Sequence, residues 1–199
     1  MNSKGLIAVA SYDKNCIMIF DKEGKYVRQF GRQGKNPGEL DGPVDVTFMN
    51  DDEILVAERG NHRIQQFNVN TGNHVNVFGR KGTGEAEFEY PSSICMDDQG
   101  HFVVAEYSNH RVQVLTKEGA PVSKIGDSGP GELDGPQGCV FHKDMFIVSN
   151  YWSKCLKLFD SSGKFLRKIG EEGAADGQFE DPWGLCIDGH GNILVCDYE

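Results

Sequence analysis

The 199-residue sequence has no excess of basic residues: 20 Lys and Arg stand against 30 Asp and Glu, a formal net charge of −10. That balance argues against a general affinity for nucleic acid or an anionic membrane, although a local basic patch can override it. No apolar run approaches the length of a membrane span. Within residues 1–12 the apolar core covers only 6–10, too short for the hydrophobic region of a secretion signal. Asn-x-Ser/Thr sequons are absent. The six cysteines include no Cys-x-x-Cys and no metal-ligand spacing. Cys95, Cys139 and Cys186 fall at matching positions, as do Cys16 and Cys155, so small buried apolar residues are expected rather than disulfide partners. These features point to a reducing, cytoplasmic setting.

What the sequence does have is glycine, 25 residues of it, and repetition. Pro43, Pro91, Pro136 and Pro182 each open a similar stretch, at spacings of 48, 45 and 46 residues. Self-similarity at this period, with short strands inside each unit, indicates a propeller or related repeat array. The repeat at 91–135 predicts strands at 92–96, 102–106, 111–115 and 121–125. Turns such as Asp97-Asp98-Gln99-Gly100 separate them, where Asp and Gly favour turn geometry. Full repeats are expected over 43–90, 91–135 and 136–181. Residues 1–42 carry the last three strands of a repeat and 182–199 the first two. A ring must close to remove its sheet edges, so a segment of a longer protein is expected. The alternative is a small propeller closed by the C-terminal strands completing the first blade.

Glu58-Arg59-Gly60-Asn61-His62-Arg63 and Glu106-Tyr107-Ser108-Asn109-His110-Arg111 place Glu and Arg on either side of a four-residue turn. If the turn closes a hairpin, Glu58/Arg63 and Glu106/Arg111 face each other across strands, in a geometry open to a bidentate bond. The first repeat has Ser11 and Cys16 at those positions and the fourth has Asn150 and Cys155. Joint loss of both charges fits a structural pairing, since losing one would strand the other.

The run Asn-His-Arg-Val/Ile-Gln, preceded by Val-Ala-Glu, resembles the NHL repeat. So do the links Phe30-Gly31-Arg32-Gln33-Gly34 through Pro43 and the matching stretch from Pro130 to Pro136. The resemblance covers essentially the whole chain, with the first and fourth repeats lacking the Asn-His-Arg core. It implies an all-β fold, a β-propeller of four-stranded antiparallel blades, with about four blades of a six-bladed ring in this chain. The motifs are most similar to the C-terminal NHL domain of tripartite-motif proteins, in which a RING domain gives E3 ubiquitin ligase activity. A protein-interaction or substrate-recognition module is therefore implied. The chain itself lacks the RING and B-box ligand pattern, so any zinc would belong to a longer parent, and no cofactor or metal is expected in this segment.

In an up-and-down blade, the turn between the second and third strands shares a face with the link to the next blade. That face would gather Tyr12, Arg59, Tyr107, Tyr151, Trp152 and Tyr198 at hairpin tips, with Trp183 near the start of an inner strand. The links hold thirteen acids against four bases, −9 of the total −10, including a rim of Glu171, Glu172 and Asp181. One account makes these acids a solvated rim and the tyrosines packing on the next blade. The other makes the face a binding site for a basic or mixed protein segment, anchored by Tyr and Trp.

RNA binding, known in some members of the family, is the second functional reading. It needs a basic surface with stacking aromatics, and Lys14, Arg59 and Lys154 are the only clear cations at the tips. A zinc-dependent lyase, as in NHL-like amidating enzymes, needs three or four converging ligands, and the six histidines suggest no such set. A scaffold without a ligase partner is the remaining alternative.

Overall fold

The computed structural model describes residues 1–127 and 129–198; Ser128, in the third link, and Glu199, at the end of the last repeat, lie outside them. The chain divides into two compact units, one over residues 1–94 and the other from 95 onward.

The first unit opens with β1 (Ile7–Ser11), β2 (Cys16–Phe20) and β3 (Tyr26–Phe30), a three-stranded antiparallel sheet in sequence order. A complete blade follows: β4 (Pro43–Phe48), β5 (Glu53–Glu58), β6 (Arg63–Asn68) and β7 (His74–Phe78). Strand β8 (Pro91–Met96) carries the division between the units and heads the sheet that continues with β9 (Phe102–Glu106), β10 (Arg111–Leu115) and β11 (Pro121–Ile125). The second unit adds the blade β12 (Pro136–His142), β13 (Met145–Asn150), β14 (Cys155–Asp160) and β15 (Phe165–Ile169), then the pair β16 (Pro182–Ile187) and β17 (Ile193–Asp197). The fold is all-β, a β-propeller of four-stranded antiparallel blades.

Blades bury both faces of their central strands, so these read as continuous apolar runs rather than alternating ones. Ile54, Leu55, Val56 and Ala57 on β5 are fully buried, as are Val103, Val104 and Ala105 on β9. In the first unit Ile17, Ile19, Ile54, Val56 and Phe67 form one core. In the second, Val103, Val112, Phe146, Val148 and Phe159 form another. A third gathers Ile147, Leu156 and Leu158 with Phe179, Leu185 and Val195.

The links are fastened by one apolar residue each. Leu40, Phe88 and Leu133 are almost wholly buried. Gly126, at φ +84°, follows β11, and a Cβ there would lie 2.3 Å from Leu133 Cγ. Only glycine allows both the left-handed conformation and this approach. Leu133 N–H in turn donates to Gly126 O at 2.7 Å. Turns are capped locally: Asp97, Asp160 and Asp188 each accept two backbone N–H bonds from the residues two and four positions on. Side-chain bonds from Ser162 and Asn192 first, then these backbone N–H groups, hold the carboxyls of Asp160 and Asp188 below the usual range.

The cysteines only partly follow the expectation of uniform burial. Cys16, Cys139 and Cys155 are buried, Cys95 is partly buried, and Cys186 is exposed, because the two-stranded sheet that holds it has its outer side uncovered. All six are free thiols.

Candidate functional site

The hairpin tips are built on two fixed points. The last tip residue takes a left-handed conformation in four repeats: Asn15, His62, His110 and Lys154 have φ between +48° and +54°. The start of the tip is tied to the preceding link. Arg59 N–H donates to Gly42 O at 2.9 Å and Gly60 N–H to Asp41 O at 3.0 Å. Likewise Tyr151 N–H donates to Gly135 O at 3.1 Å, and Tyr198 N–H to Asp181 O at 3.1 Å. Tips and link ends therefore lie together within each unit.

In the first unit the registers Glu58↔Arg63 and, in the second, Glu106↔Arg111 are direct cross-strand pairs. Arg63 Nε donates to Glu58 Oε1 at 2.7 Å, and the Glu58 side chain is fully buried. The bond is not bidentate. The remaining guanidinium nitrogens reach link carbonyls instead, Lys35 O at 2.8 Å and Glu39 O at 2.8 Å. Glu58 also accepts from Gln65 Nε2, Asn61 Nδ2 and the Asp41 N–H, at 2.6, 2.7 and 2.9 Å. This is a latch that holds the link to the blade it enters. In the third repeat Arg111 Nε and Gln113 Nε2 donate to Glu106 Oε1 at 2.7 and 2.8 Å.

The fourth repeat keeps the latch's function with different groups. Asn150 Oδ1 accepts the Asp134 N–H at 3.0 Å, as Glu58 accepts that of Asp41. Lys157, at the position of Gln65, donates to Glu132 O. In the last repeat Asp197 accepts the Asp181 N–H at 2.7 Å. The requirement is an acceptor for the link amide; the Glu–Arg pair is one way to meet it.

The candidate side chains divide between the units. In the first, Tyr12 is exposed, with its ring edge over Gly42. Arg59 stands over the Tyr90 ring at 5.6 Å. His62 packs edge-on to Tyr90 at 4.6 Å and accepts the Tyr90 N–H on Nδ1 at 3.0 Å. Burial, with the charge of Lys81, lowers the His62 pKa.

In the second unit four of the expected aromatics meet. Tyr151 lies 4.8 Å from Trp152 and 6.3 Å from Trp183, perpendicular to both indoles. Tyr107 lies 6.2 Å from Tyr151 and 6.4 Å from Trp152. Trp152 is 55% exposed and Trp183 44%. A Cβ on Gly135 would meet Trp152 Cδ1 at 2.5 Å and Tyr107 Cε2 at 3.1 Å, so this glycine lets the rings settle on the link. Tyr198 is 70% exposed beside them in sequence register, tied through its backbone to Asp181.

The acidic rim differs from an open band of charge, because link acids fold back on local donors. Asp181 is ion-paired to Lys154 and accepts the Tyr151 hydroxyl at 3.3 Å. Glu171 accepts from Gln178 at 3.4 Å, while Glu172 is exposed. In the first unit Glu39 pairs with Arg32 at 2.9 Å and Glu87 with Arg80 at 2.8 Å. The backbone N–H of Asn36, then Arg32, hold the Glu39 carboxyl below its usual range.

Lys154 is the residue that sequence reasoning placed only as a tip cation. Its ammonium sits 4.5 Å above the Tyr151 ring centroid and on Asp181. That contact raises its pKa, first through the Asp181 hydrogen bond, and Glu172 contributes by charge. The Tyr151 phenol is also held above its ordinary value, by partial desolvation and the adjacent Asp181. Among the described residues no three His, Cys, Asp or Glu converge as metal ligands.

A family model described as NHL repeat matches residues 40–67 and 88–115, the stretches that hold both Glu–Arg latches. These are NHL repeats. The protein brain tumor of Drosophila melanogaster is 40% identical over 70 residues, 34% of this chain and 7% of that protein. The human E3 ubiquitin-protein ligase NHLRC1 is 33% identical over 64 residues, 32% of this chain and 16% of that protein. The matches thus span a small part of these NHL proteins' own length. Among solved structures, a catalytically inactive virginiamycin B lyase from Staphylococcus aureus with quinupristin superposes with a TM-score of 0.73 at 16% identity. It covers 98% of this chain and 61% of the lyase, a likeness of fold.

Proposed function

We propose that this NHL segment is a protein-recognition module whose contact surface is the aromatic tip cluster of the second unit, and that it selects substrates for an E3 ubiquitin ligase of which it is part. NHL propellers mediate protein–protein contacts, and one of the similar proteins is named as an E3 ubiquitin-protein ligase. The observation that carries the reading is the cluster itself. Tyr107, Tyr151 and Trp152 at the tips pack with Trp183 at the start of β16, yet both indoles stay about half exposed. Trp and Tyr are the residues that most often dominate interface energetics. Zinc, in this reading, belongs to a RING or B-box outside this segment, and the setting is the cytoplasm.

The test is quantitative affinity purification from cells with the wild-type chain and a Trp152→Ala/Trp183→Ala variant, both checked for fold by circular dichroism. Proteins lost only with the variant, and ubiquitylated less when the variant replaces the wild type in its parent, support the reading. An identical set of retained proteins sinks it. Single-stranded RNA lost in place of protein would move the assignment to the RNA-binding alternative.

A further inference from the structure

One ring of the aromatic cluster already carries a cation from the chain itself. Lys154 lies over the Tyr151 face at 4.5 Å, within the range of cation–π attraction. Its ammonium meets Asp181, whose second oxygen holds the Tyr151 hydroxyl. Two indoles stand perpendicular to the Tyr151 ring, and Tyr107 adds a third neighbouring ring. An aromatic ring backed by a carboxylate is the chemistry that recognises an ammonium or guanidinium group.

We propose that the box formed by Tyr107, Tyr151, Trp152, Trp183 and Asp181 is a receptor for an arginine or lysine side chain of an extended partner peptide, and that Lys154 fills it until the partner displaces it. The proposal rests on the protein-recognition reading and names the chemistry of its partner. Three observations converge on a basic occupant. The side chain now seated there is basic. The carboxylate that holds it is supplied by the link, whose other acids, Glu171, Glu172, Asp176 and Glu180, are exposed in the same stretch. The field at the site favours the protonated form of Lys154.

The internal occupant is replaceable. Lys154 sits on the four-residue turn of a hairpin, and its ammonium makes one ion pair with a partly exposed carboxylate. The pair is largely sheltered, its side chains only 18% and 24% exposed, so displacement is cheap only for a partner cation that restores the same pair on Asp181. Arginine has a further advantage: its planar guanidinium can stack on a ring and pair with a carboxylate at once. Beyond the tip, a cleft of about 590 Å³ lined by His110, Glu132, Asp134, Ser153 and Lys157 offers room for the peptide on either side of that side chain.

The sequence contains two tryptophans, and both belong to the box. Intrinsic fluorescence therefore reports on this site alone. The probe is a blocked dodecapeptide of alternating glycine and arginine, compared with the same peptide carrying neutral citrulline in place of arginine. Titration into the full chain should change tryptophan emission with the arginine peptide and not with the citrulline one. Lys154→Met removes the internal competitor at nearly constant volume and should tighten arginine-peptide binding about three- to tenfold. Asp181→Asn should weaken it at least tenfold, with near-UV circular dichroism as the check on fold. Equal binding of the citrulline peptide, no binding of the arginine peptide, or weaker binding by Lys154→Met would each overturn the proposal. Binding of a twelve-nucleotide oligouridine that Lys154→Met abolishes would overturn it in favour of RNA. If the arginine peptide fails while the tryptophan double variant still loses cellular partners, the face recognises protein by other chemistry and only the cation assignment falls.

Discussion

At the tip of the second repeat, a fully buried carboxylate gathers four donors: Arg63, Gln65, Asn61 and the Asp41 amide. At the tip of the fourth, a neutral amide accepts the link N–H and Lys157 takes a link carbonyl, with Cys155 where the arginine would be. Both arrangements hold the link against its blade. The first commits charge to the interior, where an unpaired ion is heavily penalised. The second keeps the latch itself free of an ion pair, and its tip carries Tyr151, Trp152 and Lys154, with Trp152 exposed, where the second repeat has Arg59, Gly60 and His62. Architecture and surface chemistry separate: the blade needs only an acceptor and a donor for its link, and the residues around them are free to specialise.

The comparison breaks most sharply at the latch acceptors. Glu58→Ala strands Arg63 and removes four hydrogen bonds, and should cost about 3–5 kcal/mol. Asn150→Ala leaves one link amide unpaired and should cost about 1–3 kcal/mol. Urea denaturation of the two variants measures the gap, and equal losses would mean that the ion pair gives the second repeat nothing extra. Link fastening by an apolar side chain is common to both repeats and serves as the control. Leu40→Ala and Leu133→Ala should each cost about 2–5 kcal/mol, with little difference between them.

Alkaline pH sharpens the contrast from the other side. Lys154 has a raised pKa, so its share of stability is whole below pH 10.5 and is lost as pH rises through its higher folded value. Tyr151 is held protonated above pH 10, and its ionisation opposes folding in the same window. Thermal melts above pH 10 should therefore fall more steeply for wild type than for a Lys154→Met/Tyr151→Phe variant; parallel profiles would show that the box carries no pH-linked stability. The smallest effect is expected at the turn caps. Asp160→Ala should lower Tm only slightly near neutrality. Because the Asp160 pKa is depressed, that difference is present above pH 3.8 and should vanish as pH falls through its folded value.

Much of this fold was legible in the sequence because its determinants are local and repeated. The proline spacing, the Asp-x-x-Gly turns and the apolar strand cores each recur with the blade. The Glu–Arg pairs were legible as well, since a hairpin fixes which residues stand opposite. Two things were not. The distribution of the guanidinium's bonds could not be read, because its partners are carbonyls of a link some 25 residues away, and carbonyls have no sequence signature. Nor could the Lys154–Tyr151–Asp181 contact, which joins a tip to a link 27 positions later. The pairing of link acids such as Glu39, Glu87 and Asp181 with nearby bases likewise depends on how each link folds. Burial of Cys186 failed as an expectation for a related reason: equivalence within a repeat guarantees the same strand position, but covering depends on the neighbouring sheet.

The left-handed residue that ends each tip has a practical consequence. In the second and fourth repeats a left-handed His62 or Lys154 closes the turn and link carbonyls accept from the tip's first two N–H groups, so the first two tip positions behave as an interchangeable insert on a constant frame. A designer could transplant one repeat's tip onto another, or randomise those positions in a library, without redrawing the strands beneath. Selection on such a scaffold would explore binding at those two positions, while Asn61 and Asn109 keep their place in the latch.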